Sequence, residues 1–239
     1  MTPTTPTILA TSGGFTQNAH GVTVPDGLAR LALRLTGADR PKLCFVATAS
    51  GDSVIYIQAI YAAFAGWPVD VSHLALFSMP NVDDLRKHVL GQDVLWVGGG
   101  SVAGLLAMWR LHGLDEVMRE AWEAGVVLAG VSAGSICWHV GGTTDSFGPR
   151  LRPVTDGLGL LPFGNGVHYD AEEERRPLLH ELVAAGTLPA SYATDDGAGL
   201  LYRGTELAGV YAETEGARAY LVEAAGGQVV ETALSAERL

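Results

Sequence analysis

The chain has 239 residues, 48% of them hydrophobic, with 31 glycines and a formal net charge of −11. That length can bury a proper core, and a single α/β domain spanning 1–239 is the expected organisation. Only 15 lysines and arginines stand against 26 acids, which argues against nucleic acid or an anionic membrane as partner, because phosphate binding needs a basic face.

The first half alternates regularly. "TILA" (7–10), "KLCFVAT" (42–48), "VDVSHLAL" (69–76), "DVLWVGG" (93–99) and "GVVLAGV" (125–131) are short apolar runs bounded by glycine or polar turns, and they read as strands. The stretches between them, roughly 26–37, 53–66, 81–90 and 101–124, read as helices, the last broken in two near "LHGLD" by Gly113. Ser53 and Asp83 are the expected N-terminal caps. Strand–helix alternation predicts a mostly parallel sheet with helices on both faces, because parallel neighbours need crossovers. Cys44 and Cys137 fall in apolar segments and read as reduced core thiols.

After about residue 140 the pattern loosens. "HVGGTTDSFGPRLRPVTDG" reads as loop, "GNGVHYD" as the end of a short strand and 172–185 as a helix. "SYATDDGAGLLY", "ELAGVYAE", "ARAYLVEA" and "GGQVVETAL" read as short strands, an antiparallel extension of the same domain. No apolar run approaches the roughly 20 residues of a membrane span. "MTPTTPTILA" lacks the basic and apolar regions of a leader, so a cytoplasmic location is expected.

In open α/β sheets, ligands bind outside the carboxyl ends of the strands. "VGGGS" (97–101) and "GVSAGS" (130–135) each follow a strand and precede a helix, which puts both at that edge. "GVSAG" has the Gly-x-Ser-x-Gly form of a nucleophile elbow; the other reading is a tight turn that merely needs glycine. If it is an elbow, "SAGSICWHV" starts the helix behind Ser132 and the Ala133 N–H is one oxyanion donor. Gly99 or Gly100 would supply the second. The triple glycine lacks the Lys-Ser/Thr of a phosphate loop and does not fit dinucleotide spacing; no cofactor and no metal are expected.

Seven histidines compete as general base. His139 is two helical turns beyond Ser132 and too far along a helix to reach its hydroxyl. His20, His73, His88, His112 and His180 fall on predicted helix faces or strand edges. His168 differs, ending an apolar segment in a glycine-flanked, loop-rich region that suits an active-site wall. For the acid, Asp195 and Asp196 share a turn that a hairpin would explain equally well, and Asp145 in "GGTTDSFG" could line the same cleft.

"VGGGS", "GVSAGS", "TTDSFG", "VHYD" and "TDDGAGL", in this order, resemble the peptidase E family of serine peptidases, which includes aspartyl dipeptidases and, more distantly, cyanophycinases. The likeness runs from the first strand to about residue 212. It implies a flavodoxin-like fold similar to class I glutamine amidotransferases. It also implies Ser132 as nucleophile, His168 as base, Asp196 as the orienting carboxylate, and the "GGGS" glycines as the oxyanion loop. Several members carry glutamate where this chain has Asp196, and asparagine often follows the glycines where it has Ser101. Asp145 sits near an acidic position that the family places close to the active site. Aspartyl dipeptidases hold the substrate carboxylate with a basic residue downstream of the histidine, a role that falls here to Arg175 or Arg176. Cyanophycinases are similar around the histidine, yet "VHYDAEEERRPLL" lacks their preceding acid and arginine spacing. Amidotransferases need cysteine at the elbow. The resemblance implies a dipeptidase for short peptides, with N-terminal Asp-X dipeptides expected; another short-peptide specificity, or a non-catalytic flavodoxin-like binding protein, are the alternatives. The expected partner is a short peptide, and a homodimer is open.

Overall fold

Along the central strands, successive side chains are apolar on both sides of the pleat, so the sheet must be covered on both faces. The computed structural model describes residues 5–239; the first four residues of "MTPTTPTILA" lie outside the described residues. The chain opens with β1 (Thr7–Thr11), β2 (Phe15–Gln17), β3 (Thr23–Pro25), α1 (Gly27–Leu35), β4 (Lys42–Val46), α2 (Val54–Ala63), β5 (Asp70–Leu74) and α3 (Leu85–Leu90). It continues with β6 (Val94–Val97), α4 (Val102–Leu111), α5 (Leu114–Glu123), β7 (Val127–Val131), α6 (Ala133–Ile136), β8 (His139–Thr144), β9 (Arg152–Val154) and β10 (Leu161–Gly166). Then come α7 (Arg175–Ala184), β11 (Ser191–Thr194), β12 (Ala198–Arg203), β13 (Glu206–Ala212), β14 (Ala219–Ala225), β15 (Gln228–Leu234) and β16 (Glu237–Arg238).

An eight-stranded sheet runs β16-β13-β12-β1-β7-β6-β4-β5. Its β1, β7, β6, β4 and β5 are parallel, as the alternation requires, and β12 joins β1 antiparallel. Ile8 and Ala10 of β1 pack into one layer with Leu105, Trp109 and Met118 of α4 and α5. Leu9, between them, packs into the other with Phe45, Trp96, Ile57 and Ile60. Each fully buried side chain of this kind stabilises the fold by about 1.5–3 kcal/mol. Among the described residues no helix is long and apolar enough to cross a membrane.

Gly113, at φ +67°, separates α4 from α5, and Ser53 caps α2 by accepting the Tyr56 N–H. The cap of α3 is Asp84, not Asp83. The helix begins at Leu85, and it is the Asp84 carboxylate that reaches the Lys87 N–H, at 2.9 Å.

The region 139–157 is not all loop, because it contains β8 and β9. Gly141 and Gly142 of β8 lie so close to the Val154 and Asn165 carbonyls that a Cβ would strike them. Those glycines erase the alternation that marks a strand in sequence. The helix expected behind Ser132 ends after one turn, and the chain passes straight into β8. The C-terminal strands do not form one extension. β12 and β13 widen the main sheet, while β14 and β15 join a six-stranded sheet, β15-β14-β11-β10-β8-β9, against which α7 packs.

Candidate active site

β7 ends at Val131, and the backbone turns sharply at Ser132, with φ +57° and ψ −112°. A non-glycine residue held there stores about 1–3 kcal/mol of strain, so its surroundings must over-determine it. They do. The Ser132 N–H donates to the Thr11 carbonyl at 3.0 Å, and its own carbonyl accepts from the Ser135 and Ile136 N–H groups. A Cβ at Gly130 would strike the Gly134 carbonyl, and one at Gly134 would strike the Val97 carbonyl. Both glycines of the motif are therefore demanded by backbone approach. What they present is a half-buried serine whose hydroxyl does not cap α6.

β6 lies beside β7, which brings Gly98-Gly99-Gly100 against the elbow. A Cβ on Gly99 would sit 3.5 Å from that of Ser132. Among the described residues, the N–H groups of Gly99, Gly100 and Ala133 are paired with no turn or loop carbonyl. The Gly99 N–H faces the Tyr56 hydroxyl; burial pushes that phenol above its ordinary value, and the Gly99 N–H partly offsets the push. Ser101 caps α4, its hydroxyl accepting the Gly104 N–H at 3.0 Å.

His168 follows β10 and also has a positive φ, +52°. Its Nδ1 lies 2.5 Å from Asp196 Oδ1. A carboxylate only accepts, so Nδ1 carries the proton and Nε2 keeps the lone pair a base needs. The Asp196 N–H donates to Asp170 Oδ1 at 2.8 Å. The His168 N–H donates to Ser12 Oγ at 3.1 Å, and the same hydroxyl lies 2.7 Å from Thr194 Oγ1. Consecutive residues at the end of β1, Thr11 and Ser12, thus hold the backbones of Ser132 and His168. The sequence reading missed Ser12; its signal is "TSGG", a third glycine-bearing turn after a strand at this edge.

Asp195-Asp196-Gly197 is not a hairpin, because β11 belongs to the six-stranded sheet and β12 to the eight-stranded one. The crossover leaves Asp196 exposed and Asp195 buried. Asp195 accepts from the Arg218 N–H at 3.0 Å and the Tyr220 hydroxyl at 3.3 Å. Burial raises its carboxyl above the usual range, and the Arg218 N–H opposes that rise. Asp145 is exposed in the loop after β8, where the neighbouring Ser146 hydroxyl accepts the Ala103 N–H of α4.

A cleft of about 370 Å³ is walled by Tyr56, Val131, His168, Asp26, Asp196 and Glu213 among others, and neither Arg175 nor Arg176 lines it. Arg175 is buried, bonding Glu172 through Nε and Nη2 and the Thr143 carbonyl through Nη1. Arg176 lies 4.7 Å from the ring centroids of both Tyr169 and Tyr220 and 3.3 Å from Glu231. His139 is buried, its Nδ1–H donating to the Ser135 carbonyl at 2.9 Å, and burial holds its imidazole down at about 4. Among the described residues no group of three or more His, Cys, Asp or Glu side chains could hold a metal ion.

The family model described as Peptidase family S51 matches residues 8–210. The chain belongs to this family. It is similar to the uncharacterized peptidase YgaJ of Bacillus subtilis (strain 168), 41% identical over 229 residues, covering 95% of this chain and 96% of that one. Peptidase E of Shewanella denitrificans is 29% identical over 142 residues, covering 56% of this chain and 60% of its own. The crystal structure of a peptidase from an acI-B1 Actinobacterium superposes with a TM-score of 0.72 at 16% identity, over 98% of this chain and 96% of that one. At that identity the likeness speaks for the fold alone. This S51 chain is a peptidase, a hydrolase of peptide bonds, and β14 and β15 lie beyond the stretch its family model matches.

Proposed function

We propose that this peptidase is a serine exopeptidase of short peptides, working through Ser132, His168 and Asp196. His168 Nε2 takes the proton of Ser132 as the hydroxyl oxygen attacks the scissile carbonyl. Asp196 keeps the imidazole in the required tautomer and stabilises its cation. The N–H groups of Ala133 and of Gly99 or Gly100 receive the oxyanion. His168 then protonates the leaving amine, the carbon–nitrogen bond breaks, and an acyl-serine remains. Water, deprotonated by His168, releases the acyl group and restores the hydroxyl.

The observation that carries this reading is the tie between the two halves. His168 is bonded to Asp196 at 2.5 Å, and the consecutive residues Thr11 and Ser12 accept the backbone N–H groups of Ser132 and His168 respectively. Ser132→Ala is expected to fold as the wild type does and to lose turnover by about 10⁴-fold or more. A fluorophosphonate should label the native protein at Ser132 and not the variant. Comparable hydrolysis by the variant would overturn the assignment.

For specificity, the family resemblance points to Asp-X dipeptides, but two observations favour a wider short-peptide range. Arg175 and Arg176 are engaged elsewhere. The cleft beside His168 is walled by the carboxylates of Asp26, Asp196 and Glu213, with no lysine or arginine among its lining residues. An aspartyl side chain entering there meets like charge. A panel of Asp-Leu, Glu-Leu, Ala-Leu and Lys-Leu decides the matter: a strong preference for Asp-Leu restores the Asp-X reading.

A further inference from the structure

We propose that the C-terminal hairpin β14–β15 is a positioning element for the His168–Asp196 pair, acting through Tyr220, Glu231 and the Arg176 guanidinium. The proposal rests on the triad reading above. The hairpin lies outside the stretch matched by the family model, yet it reaches the sequence neighbour of each partner. Tyr220 of β14 donates its hydroxyl to Asp195, the residue before Asp196, at 3.3 Å. Glu231 of β15 accepts the hydroxyl of Tyr169, the residue after His168, at 2.8 Å. Arg176 of α7 lies over both tyrosine rings and meets Glu231, which also bonds His180 at 2.8 Å. One cation and one carboxylate thereby clamp the two chain segments that carry the base and its orienting acid.

The clamp answers a need that the pair cannot meet alone. Asp196 is half exposed, with 52% of its side-chain surface accessible, and a single hydrogen bond so open to water holds its geometry weakly. His168 has a left-handed backbone that persists only where the surroundings enforce it. A base displaced by an ångström loses much of its rate without losing the substrate. Arg176 is half exposed but its charge is already met by Glu231 and two aromatic faces, which suits a strut better than a substrate ligand.

The test compares Arg176→Met, Arg176→Lys, Tyr220→Phe and Glu231→Gln in the full chain, with kcat divided by the number of serines titrated by a fluorophosphonate. Arg176→Met and Glu231→Gln are expected to lower kcat per titrated site about tenfold, with KM changed less than about twofold. Arg176→Lys keeps a cation over the rings and should recover most of that loss. Tyr220→Phe should show a smaller fall, and it supplies the readout if Arg176→Met does not fold. Unchanged kcat per site in Glu231→Gln and Tyr220→Phe would reduce the hairpin to scaffold and overturn the proposal. A raised KM at constant kcat in Arg176→Met would overturn it too, by making Arg176 a substrate ligand. Ser132→Ala and His168→Gln, assayed per mole of protein because the first has no serine to titrate, separate the two claims, since turnover surviving in them sinks the triad itself.

Discussion

On the Ser132 side, position is set by backbone: β6 and β7 bring two glycine turns together, and Gly130 and Gly134 admit carbonyls where side chains would stand. On the His168 side, position is set by side chains: Ser12, Asp170, Asp196 and the cluster around Arg176 hold a residue that no regular element contains. A site half built from close-packed backbone and half from polar contacts should fail in two ways. Added volume should damage the first half as stability, and removed hydrogen bonds should damage the second as rate.

The largest expected effect is on the polar half. Asp196→Asn keeps the shape but can donate to Nδ1, which favours the wrong imidazole tautomer, and kcat should fall by about 10³–10⁴-fold with little change in unfolding midpoint. Asp195→Asn sits one residue away and faces Arg218 and Tyr220 instead; its kcat should stay within about tenfold of the wild type. A steady-state assay of both variants tells which acid works on His168, and the reverse ranking would exchange their roles. On the backbone half, Gly134→Ala drives a Cβ into the Val97 carbonyl, an overpacking expected to cost about 3 kcal/mol in urea unfolding. Gly99→Ala has ordinary room beside Ser132, so it should cost under about 1 kcal/mol. Equal losses would mean that the elbow is softer than its contacts indicate.

The same division explains what sequence could disclose. The elbow and the glycine loop were legible because backbone approach leaves glycines at fixed spacing after apolar strands, and the parallel half of the sheet because its crossovers force alternation. β8 was not, since Gly141 and Gly142 interrupt its period for the sake of contacts with strands distant in sequence. Asp-Asp-Gly stayed open between a hairpin and a catalytic turn because a turn between two strands gives no sign that the strands belong to different sheets. The resemblance offered Arg175 or Arg176 as the carboxylate-holding residue, and two adjacent cations in sequence do not disclose that Glu172, Glu231 and two tyrosines already surround them. Polar networks assembled from five separate segments have no local spacing to read.

The last predicted effect is confined to acid pH and lies at the seam between the halves, at His139, where α6 gives way to β8. Its ring is buried against Tyr202, Nδ1–H bonds the Ser135 carbonyl, and Nε2 has no partner among the described residues. In the unfolded chain this imidazole takes up a proton as pH falls through its ordinary value of 6.5, whereas in the folded protein burial delays that to about 4. Between those values the unfolded chain binds more protons, so stability is full above the unfolded value and is lost as pH falls toward the folded one. From pH 8 to pH 5 the contribution lost is about 2 kcal/mol. His139→Asn retains an amide N–H at the place of Nδ1 to bond the Ser135 carbonyl but no titrating ring, so its urea midpoint should fall less over that interval than the wild type's. Parallel falls would mean that the seam opens enough to hydrate the imidazole, and that the elbow rests on a less rigid support than its glycine contacts imply.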